Sequence, residues 1–77
     1  MKSPKEILID RTYNGLVSDA FKAYRDGKFG LLRHYFDNRV PIYLDTLVKQ
    51  SSISATERMK LLSKILSRTR SIREELA

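Results

Sequence analysis

Ser51-Ser52-Ile53-Ser54-Ala55-Thr56-Glu57 is the stretch on which the fold turns. A serine followed three residues later by a glutamate forms a capping box: each side chain accepts the other residue's backbone N–H, satisfying donors that a helix cannot satisfy at its own start. A helix therefore begins after Ser54, and the serines before it form a polar connection that closes the preceding element. Downstream, Ala55, Met59, Leu62, Ile65, Leu66, Ile72 and Leu76 recur at helical spacing and predict one amphipathic helix running to the C-terminus.

Upstream of that boundary, Leu32, Phe36, Val40, Tyr43, Leu44, Leu47 and Val48 keep helical spacing between Phe29 and Gln50, with Pro41 in their midst. Proline removes a backbone donor, collides with the carbonyl four residues back and pushes the preceding residue out of α geometry. A break or kink is expected near Asn38 to Val40, with Asp37 and Asn38 offering capping oxygens for the restart. The first element starts at Ser3-Pro4, with a capping oxygen and a proline suited to the first helical position. Ile9, Tyr13, Leu16, Val17, Ala20 and Tyr24 give it one apolar stripe, and Asp26-Gly27 ends it, Gly27 being suited to a left-handed C-terminal position. Asn14-Gly15 is also a favoured hairpin turn, but the stripe keeps its phase across the pair, so the helix reading is preferred to a strand over Glu6 to Tyr13. The sum is an all-α, single domain over residues 1–77: a small three-helix arrangement, its second helix kinked or broken near Pro41.

Seventy-seven residues allow one hydrophobic core, and without cysteine no disulfide or thiolate–metal staple supports it, which leaves self-association open. The apolar runs are far shorter than the ~20 residues a membrane span needs, and the first residues lack a signal peptide's apolar stretch, so an intracellular, cytoplasmic location is expected.

Catalytic constellations are missing from the pattern. His34 is the sole histidine and sits among Leu32, Arg33, Tyr35 and Phe36, where a surface helical histidine is a better account than a general base or metal ligand. One histidine with no cysteine makes a poor zinc set, and Gly15, Gly27 and Gly30 form no phosphate-binding loop. No enzyme activity, metal or cofactor is expected. Tyr13, Tyr24, Tyr35 and Tyr43 fall on apolar stripes and read as core residues with the hydroxyl at the rim rather than as stacking platforms for bases.

Charge is the informative property. The chain carries a net +6, divided as +1 over residues 1–27, +2 over 28–53 and +3 over 54–77. Arg58, Lys60, Lys64, Arg68, Arg70 and Arg73 follow one another with no intervening acid, so no acid between Arg58 and Arg73 can pair with them within the helix. Lys60 and Lys64 lie opposite the apolar stripe beside Ser67 and Ser71, Arg68 and Arg70 on its flanks, while Arg58 and Arg73 intrude on it. Lys22, Arg25, Lys28 and Arg33 make a second basic set around the first turn, compensated locally only by Asp26.

Leu47 to Thr56 resembles the turn of a helix-turn-helix, with small residues in the turn and Ile53 after it. The resemblance covers about a quarter of the chain, Arg58 stands where an apolar residue is usual and Ser52 where glycine is customary, and a plain αα-hairpin accounts for the same residues. The expectation is a non-enzymatic basic helical module that binds nucleic acid, DNA or RNA, through its C-terminal helix. The alternative is a protein–protein adaptor or inhibitor docking on an acidic surface, with homo-oligomerisation through apolar area around Phe29, Leu31 and Ile42 open to it.

Overall fold

A computed structural model describes residues 1–76 and contains, in chain order, α1 (Pro4–Arg25), α2 (Phe29–His34), a π-helical turn (Tyr35–Arg39), α3 (Val40–Lys49), α4 (Ala55–Arg68) and α5 (Arg70–Leu76). It is an all-α domain whose three helical arms run up, down and up: α1, the arm α2–π–α3, and the arm α4–α5.

Local chemistry sets the ends of the arms. At the start of α1 the Ser3 hydroxyl accepts the Glu6 N–H at 3.2 Å while the Glu6 carboxylate accepts the Ser3 N–H at 3.3 Å, a second capping box beyond the Ser3-Pro4 signal read from the sequence. The helix passes unbroken through Asn14-Gly15 and ends as expected on Gly27, whose φ is +72°. There the Lys28 N–H reaches the Ala23 carbonyl at 3.0 Å and the Gly27 N–H the Tyr24 carbonyl at 3.1 Å, the paired bonds of a Schellman cap.

The end of α3 repeats this cap without a glycine: Ser52 N–H bonds the Leu47 carbonyl, Ser51 N–H bonds that of Val48, and Ser51 takes a φ of +59°. The left-handed residue is thus Ser51, one position before the glycine site that the helix-turn-helix resemblance assigned to Ser52. A left-handed L-residue costs about 1–2 kcal/mol, and glycine's greater freedom in the unfolded chain cancels part of the relief. Ser51→Gly is therefore expected to stabilise the fold by about 0.5–1 kcal/mol, a rise of several degrees in Tm by thermal melting.

The second arm is interrupted before Pro41, but not by the capped restart expected from sequence. Val40 stays right-handed helical (φ −64°, ψ −52°), no side chain caps Arg39, and the Asn38 amide lies 3.3 Å from His34 Nδ1 instead. The chain widens by one residue per turn over Tyr35–Arg39, so that the Val40 N–H bonds the Tyr35 carbonyl five residues back. Pro41 thereby meets a carbonyl ladder already shifted from the i−4 register in which its ring would clash.

The third arm also bends, which the sequence stripe did not indicate. Thr69, fully buried, leaves helical geometry at φ −101°, ψ 14°, and its hydroxyl donates to the Ile65 carbonyl at 2.8 Å. α5 places Ile72 in a cluster with Ala20, Leu32 and Phe36 at one end of the bundle. A larger cluster fills the rest: Val17 from α1, Val40, Leu44 and Leu47 from α3, Ile53 from the turn, and Leu61 and Ile65 from α4. The inward face of α4 is accordingly rotated from the predicted stripe. Leu61 is buried, whereas Met59, counted as core from its spacing, is 69% exposed: the buried line runs through Leu61, Ile65, Thr69 and Ile72, and Met59 lies well off it. Tyr43, also counted as a core position, is 46% exposed.

Tyr35 fastens the second arm to α1, its hydroxyl donating to the Leu16 carbonyl at 3.2 Å. Burial first, then the nearby Asp19 carboxylate, push its ionisation up to about 12. A folded pKa above the ordinary phenol value stabilises the fold fully below that ordinary value, near 10, and the contribution disappears as pH rises through about 12. An ultraviolet titration is expected to show late tyrosine ionisation, with cooperative unfolding in that window; Tyr35→Phe diminishes the late step, which Tyr24, raised by its hydrogen bond to Glu75, shares.

Candidate nucleic-acid interface

α4 lies in parallel along α1, fixing which of its cations face inward. Lys5 meets Glu57 at 3.3 Å near the lower end, Lys64 Nζ sits 4.4 Å from the centre of the Tyr13 ring, and Arg68 lies 4.8 Å over Phe21. At the upper end the Tyr24 hydroxyl donates to Glu75 at 2.5 Å. The Ser54 cap starts this arm as the sequence indicates, with Glu57 N–H to Ser54 Oγ at 3.1 Å and Ser54 N–H to Glu57 at 2.7 Å. Hydrogen bonding from the Ser54 backbone, with Lys5 adding to it, holds the Glu57 carboxyl below the usual range.

The six cations of the C-terminal arm divide into two groups. Arg58 turns inward and its Nε lies 2.7 Å from Asp45 of α3, an ion pair whose N–H is not aligned as a hydrogen bond. Arg73 also folds back, donating from its terminal nitrogen to the Leu66 carbonyl at 2.6 Å while its buried Nε finds no acceptor. Arg70 pairs with Glu74 at 3.0 Å, one turn further along α5. This i,i+4 pair escapes a reading confined to acids between Arg58 and Arg73. These three side chains have internal partners.

Lys60, Lys64 and Arg68 make no ion pair among the described residues and lie exposed on successive turns of α4. Thr56, Ser63 and Ser67 are exposed beside them. The face thus offers three cations one turn apart, about 6 Å between neighbours, interleaved with hydroxyls. Two of the three rest on aromatic rings, which limits their freedom in advance of any anion.

The second basic set does not form one patch. Lys22 and Lys28 line a groove of about 330 Å³ between α1 and the second arm, together with Asp19 and Asp26. Arg33 faces elsewhere, donating to the Leu76 carbonyl at 2.6 Å beside Phe36 and Arg73. Arg25 lines neither groove. Sequence reading also passed over Arg39, which lines the groove with Lys22 and Lys28.

Among the described residues no three of histidine, aspartate or glutamate converge as a metal-holding group, and no helix is long and apolar enough to cross a membrane. Comparison with family models, with curated proteins and with solved structures finds no match to this chain.

Proposed function

We propose that this chain is a non-enzymatic binding module that holds a nucleic acid through the exposed row of cations on α4 that flanks α1. The reading is carried by one observation: folding gives Arg58, Arg70 and Arg73 internal partners, yet Lys60, Lys64 and Arg68 remain in line, exposed and without a carboxylate partner. Phosphates along a nucleic-acid backbone are the ligand that such a row of point charges and hydroxyl donors suits, and each phosphate neutralised releases condensed counterions. The contacts are to backbone, so the expected binding discriminates little by base sequence.

The test is titration of labelled duplex and single-stranded oligonucleotides at several salt concentrations. Three phosphate contacts give a slope of log K against log salt of about −2.7 on duplex DNA, hence a loss of about 40-fold between 50 and 200 mM salt. Absence of binding in dilute salt, or a slope near zero, contradicts the proposal.

A further inference from the structure

The seam between α1 and the second arm, to which α4 contributes no residue, has a different character. Beside the groove that holds Lys22 and Lys28 lies another, of about 480 Å³, formed by the second arm alone and lined by Ile42, Tyr43 and Thr46; His34 and Arg39 line both, so the two adjoin at these residues. Large apolar side chains stand open along it, Leu31 and Ile42 each 61% exposed and Tyr43 46%. Leu31 and Ile42 are eleven residues apart, close to three full helical turns, and each lines a groove beside His34 and Arg39.

We infer that this seam docks an acidic, amphipathic helix of a partner protein. Leu31 and Ile42 are three turns apart, about 16 Å, a length over which a partner helix presents apolar side chains at positions i, i+4, i+7 and i+11. The charge along the seam selects the sign of that helix. Lys22, Lys28 and Arg39, with Arg11 at the Tyr43 end, outnumber Asp19 and Asp26, and none of these four cations is ion-paired among the described residues. A second copy of this chain would bring the same basic surplus to the contact, on a protein already at +6, so like charges oppose a symmetric dimer here. A nucleic acid would leave the aliphatic Leu31 and Ile42 without a partner. Acidic flanks around aliphatic or aromatic anchors satisfy both the charge and the apolar area.

The experiment uses the full chain and a fluorescent synthetic helix-forming peptide with leucines at i, i+4, i+7 and i+11 and glutamates flanking them, alongside a scrambled peptide of equal composition. Anisotropy titration is expected to show saturable binding of the patterned peptide, at least about tenfold weaker for the scramble and for the double variants Leu31→Asp/Ile42→Asp and Lys22→Glu/Arg39→Glu. Reversal of Lys60, Lys64 and Arg68 should leave peptide affinity unchanged, which separates this proposal from the one for α4. Because Leu31 and Ile42 are exposed, circular dichroism of the variants should match the wild type, and Leu31→Ala/Ile42→Ala provides a milder pair. Equal binding of the two peptides, or indifference to the seam substitutions, overturns the inference. So does a wild-type dimer in sedimentation equilibrium that Leu31→Asp/Ile42→Asp dissociates, which assigns the seam to a second copy. Loss of oligonucleotide binding in that variant would assign it to nucleic acid and equally overturn the inference.

Discussion

Exchanging Lys60, Lys64 and Arg68 together for glutamate is expected to weaken oligonucleotide binding by at least about 500-fold at about 0.1 M salt, with the fold retained. The magnitude follows from counterion release: three phosphate contacts scale affinity as salt concentration to the power of about −2.7, so at 0.1 M they contribute roughly 500-fold over their value at 1 M. Reversal adds repulsion to that loss. The fold should survive because all three side chains are exposed and hold no carboxylate. What is lost internally is the pair of contacts over Tyr13 and Phe21, about 0.5–1 kcal/mol each at such sites. The contrasting substitution is Arg58→Gln. It abandons Asp45 and a partly buried position, so it should lower Tm while leaving the salt slope where it was. An unchanged affinity in the triple variant would remove α4 from the interface. Equal losses from reversing Lys22 and Lys28 would show that bulk charge, not this row, holds the ligand.

How much of this was legible in the sequence depended on how local the governing chemistry was. Ser54 and Glu57, Ser3 and Pro4, and Gly27 act within a turn of their own position, and the helix ends fall where those residues put them. The inward turn of Arg58 and Arg73 was also visible as an intrusion of charge on an apolar stripe, though not the identity of their partners, since Asp45 comes from another helix and the Leu66 carbonyl is backbone. The bend at Thr69 was not legible. A threonine whose hydroxyl returns to the carbonyl four residues back bends a helix only where packing favours the bend, and here Ile72 packs beyond it against Leu32 and Phe36, far away in sequence. Spacing alone also admitted Met59 to the stripe and left Leu61 out, although the buried line through Leu61, Ile65, Thr69 and Ile72 keeps one helical phase across the interruption. Pro41 announced an interruption but not its form, because a capped stop and a wide turn answer the same missing donor.

That wide turn has a consequence far larger than the contacts of any residue in it. Deleting Asn38 is expected to destabilise the fold by about 3 kcal/mol, whereas Asn38→Ala is expected to change stability by no more than about 0.5 kcal/mol, as for an exposed position. The asparagine itself reaches only His34, one turn before it, so its side chain accounts for little. Its place in the count is what matters. Removing one residue returns the turn to α register, and because the wide turn had absorbed that residue, α3 keeps its rotation with respect to α2 and Val40, Leu44 and Leu47 stay on the face where they are buried. The restored register sets the Pro41 ring against a carbonyl, at about 3 kcal/mol. Small domains have only about 5–15 kcal/mol in total. Urea titration followed by circular dichroism decides the matter: a transition in the deletion variant close to that of the wild type would mean that the wide turn is not what spares Pro41 its clash.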